Sequence, residues 1–161
     1  YAPSTGRPTA AALLDDAVQV HDSLAAPQGV IAVGFSIGSG PAAHLARQRD
    51  LRGVVLVTPF DSLRRVAQQS FPWAPVRWLF RHDMDPLADL LARPTPMAVL
   101  TATHDEVIAT ARSDAMLGGL RDSGHAPVAL HRIAAGHNTL YNHPDFAPLF
   151  RDALAVIAAA Q

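Results

Sequence analysis

Val30-Ile31-Ala32-Val33-Gly34-Phe35-Ser36-Ile37-Gly38-Ser39-Gly40-Pro41-Ala42-Ala43-His44-Leu45-Ala46 is the stretch on which the fold turns. It opens with Val30 to Val33, a short apolar run rich in β-branched residues, as a parallel strand covered on both faces requires. It closes on a helical segment, with Pro41 suited to an early helical position. Between them stands Gly-x-Ser-x-Gly, Gly34 to Gly38. A serine on a tight strand-to-helix turn is thrust above the sheet in a strained backbone region, and flanking glycines leave it room. The helix that starts there points free N–H groups at the same spot, so the Ile37 amide is a candidate donor to an oxyanion. A glycine-rich turn holding a phosphate, or no ligand, is the bland alternative. The strand before and the helix after favour Ser36 as a nucleophile.

The same alternation continues outward. Val54 to Val57, Met97 to Leu100 and Val128 to Leu130 are further strands, each bounded by Gly or Pro. A helix with Ala10, Leu13, Leu14, Ala17, Val18 and Leu24 on one face precedes the first strand, with Thr9 as its N-cap and Pro27 beyond its end. Further helices are expected at about 41–49, 86–92, 110–122 and 145–160. Strand and helix in turn imply an α/β fold, a mostly parallel sheet layered by helices. One domain over 1–161 is expected. The stretch from Phe60 to Phe80 shows no regular period, and a cap-like insertion is expected at about 60–93.

A serine nucleophile of this kind takes its acid, and then its histidine, from loops that follow later strands. Asp105 follows the third strand and His137 the fourth, so both leave the carboxyl edge from which Ser36 leaves. The imidazole accepts the serine proton, and the carboxylate holds the ring's tautomer and stabilises its charged form. Glu106 rivals Asp105, which is preferred because the shorter side chain is commoner in this role. Of the eight histidines, His21 and His44 fall in helices, His131 at the end of a strand and His125 before Pro127. His82-Asp83-Met84-Asp85 and His104-Asp105-Glu106 hold ligand-type groups without a recognised metal spacing, so no metal is expected.

Composition narrows the rest. With 49% hydrophobic and 17% charged residues the chain suits one globular core. Thirteen basic against fourteen acidic residues give a formal charge of −1, so the electrostatic footprint of a nucleic-acid binder is missing. Without cysteine there is no disulfide framework, thiolate metal site or thiol nucleophile. No stretch suggests a signal peptide or a membrane span. A cytoplasmic location is therefore expected for the chain itself. Its start at Tyr1, in a Pro/Gly/Ser-rich stretch, leaves an upstream signal or anchor open.

Taken together, Gly34 to Gly40, Thr58-Pro59-Phe60-Asp61-Ser62-Leu63, Phe71-Pro72-Trp73-Ala74-Pro75, His104-Asp105-Glu106-Val107-Ile108 and Gly136-His137-Asn138 resemble the alpha/beta-hydrolase family. Within it the chain is similar to the bud-emergence-type branch, akin to palmitoyl-protein thioesterases and prolyl oligopeptidase-like proteins. The resemblance implies a three-layer sandwich and a triad of Ser36, Asp105 and His137, with the Ile37 amide in the oxyanion hole. It further implies cleavage of a carboxylic ester or thioester through an acyl-enzyme, with a small-molecule acyl substrate and no cofactor. A prolyl oligopeptidase-like peptidase, an acyltransferase, and a non-catalytic remnant that binds protein are the alternatives. Phe35, Phe60, Trp73 and Trp78, with Phe71 and Phe80, are candidates to line an apolar acyl pocket, core filling being their other use. The chain departs from the family at Thr101-Ala102, where His-Gly is common, and at Ala109, where Pro is common.

Ser4-Thr5-Gly6-Arg7-Pro8-Thr9 resembles the loop after the fourth strand of that fold, so an N-terminally truncated form is expected, with the earlier strands and the His-Gly oxyanion loop outside the chain. Losing one oxyanion donor costs on the order of 10²- to 10³-fold in rate. The first strand would then expose an edge open to a partner or to self-association.

Overall fold

In the computed structural model, which describes residues 9–25, 29–74 and 83–160, four parallel strands form one sheet in the order of the chain. They are β1 (Ile31–Phe35), β2 (Gly53–Val57), β3 (Met97–Ala102) and β4 (Ala129–Ile133). The helices are α1 (Ala10–Asp22), α2 (Ser39–Gln48), α3 (Leu63–Ser70), α4 (Pro86–Ala92), α5 (Thr110–Asp122) and α6 (Phe146–Ala159). β2 and β3 are buried along their whole length, as continuous apolar runs in a doubly covered sheet must be. Side chains alternate across that sheet. Val54, Leu56, Met97 and Val99 pack with α2, α4 and α5, while Val55, Val57, Ala98 and Leu100 pack with Ala153 and Ile157 of α6. Three layers result.

Local signals set the helix starts. Thr9 Oγ1 accepts the Ala12 N–H at 3.1 Å, and Asp85 Oδ1 accepts the Ala88 N–H at 2.9 Å with Pro86 behind it. At the far end of α1, Asp22 takes two hydrogen bonds from Arg49, at 2.7 and 2.6 Å. That guanidinium holds the Asp22 carboxyl far below the usual carboxylate range.

Several elements differ from the sequence expectation, β3 among them, which runs on through Thr101 to Ala102. β1 continues through Gly34 to Phe35, since nothing in those residues breaks pairing with Leu56 and Val57. β4 runs on through His131 and Arg132, polar residues that an edge strand carries where its faces are half open, His131 reaching Asp152 of α6 at 3.1 Å. In the segment expected to lack a period, Leu63 to Ser70 is a helix. Leu63 and Val66 are the residues it seats against the core, too few to register as a helical stripe.

A third apolar cluster lies between α1 and α3: Phe60, Met84, Ile108 and Ala10, with Leu13, Leu14, Leu63 and Val66 against them. Asp61 beside it is 1% exposed and accepts from Arg65 at 2.9 Å and Arg112 at 3.2 Å, tying α3 to α5. Among the described residues β1 pairs with β2 alone, so its other edge is open. No helix of the described residues is long and apolar enough to cross a membrane.

Leu56→Ala should cost about 2–5 kcal/mol of unfolding free energy in a urea titration, because it hollows a fully buried position. Val20→Ala, at a position 64% exposed, should stay within about 0.5 kcal/mol of the parent.

Candidate active site

The end of β1 shows how the first candidate residue is held. Ser36 has a φ of 50°, in the left-handed region, and stands half-buried between β1 and the single 3-10 turn Ser36–Gly38 that leads into α2. Among the described residues Thr58, at 49°, shares this conformation without being glycine, and it ends the neighbouring strand. Such a backbone costs on the order of 1–3 kcal/mol and persists only where the surroundings impose it. At Ser36 they do. A Cβ on Gly34 would lie 2.6 Å from Gly38 O, 2.8 Å from Ser39 Cα and 2.9 Å from Ala42 Cβ, so α2 closes on β1 only over a bare backbone. Gly38 differs: a Cβ there would meet nothing within 4 Å, so the expected crowding applies to the first glycine of the motif and not to the second. The Ile37 amide lies in the first turn, where helix geometry leaves N–H groups without intrahelical partners.

The loops after β3 and β4 are laced together. Thr103 N–H donates to Ile133 O at 2.9 Å and His104 N–H to Ala135 O at 3.0 Å, continuing the β3–β4 pairing past the strand ends. Within this lattice Asp105 Oδ1 accepts the Val107 and Ile108 N–H groups at 3.0 and 2.7 Å. Oδ2 is thereby aimed at His137 Nδ1, 2.8 Å away. Both side chains are nearly buried, at 3% and 7% exposure, so the pair is shielded from solvent. An ionised carboxylate can only accept, which puts the ring proton on Nδ1 and leaves Nε2 as the basic nitrogen.

Glu106, the other acidic candidate, meets the same histidine at the backbone. Its Oε2 accepts the His137 N–H at 3.0 Å, and that donor holds the Glu106 carboxyl below its usual range. Sequence reasoning missed this role. Its only trace was an acidic residue beside the preferred acid and a glycine before the histidine.

Ser36 Oγ has no hydrogen bond to a described residue, so the serine–imidazole contact is the open link of the row. Catalytic hydrogen bonds in an unliganded enzyme are often long and tighten with substrate. What joins the two segments is aromatic packing. Phe35, immediately before the serine, has its ring centroid 5.9 Å from Tyr141, four residues past His137, and 5.8 Å from Phe150 of α6.

The candidate pocket residues divide. Phe35 is 40% exposed beside Ser36. Phe60 is fully buried in the cluster under α3, so it fills core and offers no surface to a ligand. Trp73 is 83% exposed, edge-on to Phe71 at 6.4 Å, and encloses nothing. Trp78 and Phe80 lie outside the described residues. Among those residues no three His, Asp or Glu side chains group as metal ligands.

No protein-family model matches the chain. It is 30% identical over 169 residues to the alpha/beta hydrolase domain-containing protein aho-3 of Caenorhabditis elegans, matching 99% of this chain and 48% of the relative. The chain spans about half the length of the first curated relatives it matches. Among solved structures it resembles a Nitrososphaera gargenis carboxylesterase, with a TM-score of 0.71 at 11% identity, over 97% of this chain and 75% of that one. Acyl-protein thioesterase 2 of Zea mays superposes with a TM-score of 0.62 at 15% identity, over 98% and 70%. The fold is that of the alpha/beta-hydrolases.

The two motif glycines should respond differently to one methyl group. Gly34→Ala should lose about 1–3 kcal/mol in denaturant unfolding, because backbone atoms must shift. Gly38→Ala should change stability by less than about 0.5 kcal/mol.

Proposed function

We propose that this chain, an alpha/beta-hydrolase by fold, carries the nucleophile, base and acid of a serine hydrolase that cleaves a carboxylic ester or thioester. The observation that carries the proposal is the shared sheet edge. It holds a serine in a left-handed conformation at the end of β1 and a buried imidazole–carboxylate pair, 2.8 Å apart, after β3 and β4. In this reading His137 Nε2 accepts the Ser36 proton as Oγ attacks the acyl carbon, and Asp105 stabilises the imidazolium through Nδ1. The Ile37 amide, aided by the N-terminal end of α2, donates to the oxyanion. The tetrahedral adduct collapses to an acyl-enzyme as His137 returns its proton to the departing alcohol or thiol. Water, deprotonated by the same ring, then releases the acid and restores Ser36.

The carboxylesterase and acyl-protein thioesterase among the similar structures support acyl transfer to water from oxygen or sulfur esters. Phe35 offers the nearest exposed aromatic surface for an acyl chain. Of the 60–93 stretch, α3 is the part we assign to a cap, seated through Leu63 and Val66 on the cluster that includes Ile108, three residues past Asp105, whereas Phe60 and α4 pack in the core. The open edge of β1, with Val33 39% exposed on it, is a surface for a further strand, from a partner or a second copy.

A fluorophosphonate probe should label the chain on Ser36, and Ser36→Ala should abolish the label. Absence of labelling in both forms would favour the binding-module alternative. Asp105→Asn should lower hydrolysis of p-nitrophenyl butyrate by on the order of 10⁴-fold, since the amide favours the wrong ring tautomer. Light scattering at raised protein concentration should report a mass above one chain, and Val33→Lys should return it toward the monomer. A monomer at every concentration would remove the self-association proposal.

A further inference from the structure

We propose that Glu106 is the positioning residue of the histidine loop, clasping the main chain at His137 so that the ring meets Asp105 at the right depth. This rests on the triad assignment above. Two observations carry it. The first is the hydrogen bond from the His137 N–H to Glu106 Oε2 at 3.0 Å. The second concerns Gly136, whose φ lies outside the left-handed region, so the backbone does not demand glycine there. A Cβ at that position would stand 2.6 Å from the same Oε2. The carboxylate passes directly over the bare backbone of position 136. Adjacent residues of one loop thus hold a single histidine at two points, Asp105 by its ring and Glu106 by its backbone amide. Asp105 cannot take over the clasp, because its Oδ1 is committed to two amides of its own loop and its Oδ2 to the ring.

The charged groups around the clasp are few. His137 and Asp105 lie on the loop side, and Arg112 of α5 lines, with Gln69, Ser70 and Glu106, a cavity of about 200 Å³. The Glu106 carboxyl is held below its usual range, first by the His137 amide and then by its own. A carboxylate lowered in the folded state contributes its bond above its unfolded pKa and loses it as pH falls through the folded value. The charged form, and with it the clasp at full strength, is therefore present at neutral pH, and the bond weakens in acid.

The decisive comparison uses Glu106→Ala, Glu106→Gln and Gly136→Ala in the whole chain. Glu106→Ala should slow fluorophosphonate labelling and p-nitrophenyl butyrate turnover by about 10- to 100-fold, mostly in kcat, as expected for a misplaced base. Glu106→Gln keeps an acceptor oxygen at the same reach and should recover most of that loss. Gly136→Ala displaces the flexible end of Glu106 rather than backbone, so it should give the same slowing with little change in unfolding midpoint. Combined with Glu106→Ala it should add nothing. Amide exchange of His137, followed by NMR, should speed up in Glu106→Ala and Gly136→Ala whether or not the chain turns over substrate. His137 exchange unchanged in both variants would overturn the clasp, as would Glu106→Gln behaving like Glu106→Ala. Failure of the triad reads out separately, as labelling that survives Ser36→Ala.

Discussion

Four strands that all run the same way deliver their following loops to one edge of the sheet, and on that constraint the candidate chemistry depends. Parallel pairing forces a crossover between each strand and the next, so residues 36, 105 and 137 can share an edge although long helices separate them in the chain. The pairing does more than gather. Because β3 and β4 stay bonded past their ends, through Thr103 to Ile133 and His104 to Ala135, the loops bearing Asp105 and His137 behave as an extension of the sheet. Positions set by a rigid lattice are what an imidazole needs when its useful range is a few tenths of an ångström.

Most of this architecture was legible because apolar period and punctuation agreed. Val54 to Val57 and Met97 to Leu100 are buried on both sides and read as unbroken apolar runs, and the helices over 86–92 and 110–122 coincide with their expected spans. α3 was hidden because it is only eight residues long, and two seated apolar residues, Leu63 and Val66, are too few for a period to stand out in the aromatic and proline-rich stretch around it. β4 was cut short because His131 and Arg132 interrupt the apolar run, and polar residues continue a strand only at the less covered side of the sheet that β4 occupies. Phe60 could not be told from a pocket residue, since one large aromatic serves either a core or a ligand surface.

At the site, spacing located the acid and the histidine but could not say how Asp105 and Glu106 divide their work. That division is set by which carboxylate the Val107 and Ile108 amides capture, a property of loop path rather than residue type. The glycine motif was likewise legible in part. The strand-to-helix crowding falls on Gly34, and the open space beside Gly38 is invisible in a pattern that treats both glycines alike.

The aromatic row Phe35, Tyr141, Phe146 and Phe150 runs from the residue before the serine, through the histidine's own segment, into the last helix. Rings in contact transmit displacement, because a close-packed neighbour cannot absorb it in empty volume. The last helix is therefore mechanically wired to the strand end that carries the serine: Phe150 of α6 rests directly on Phe35, so a rotation of α6, however imposed, reaches the residue before Ser36 through one pair of touching rings.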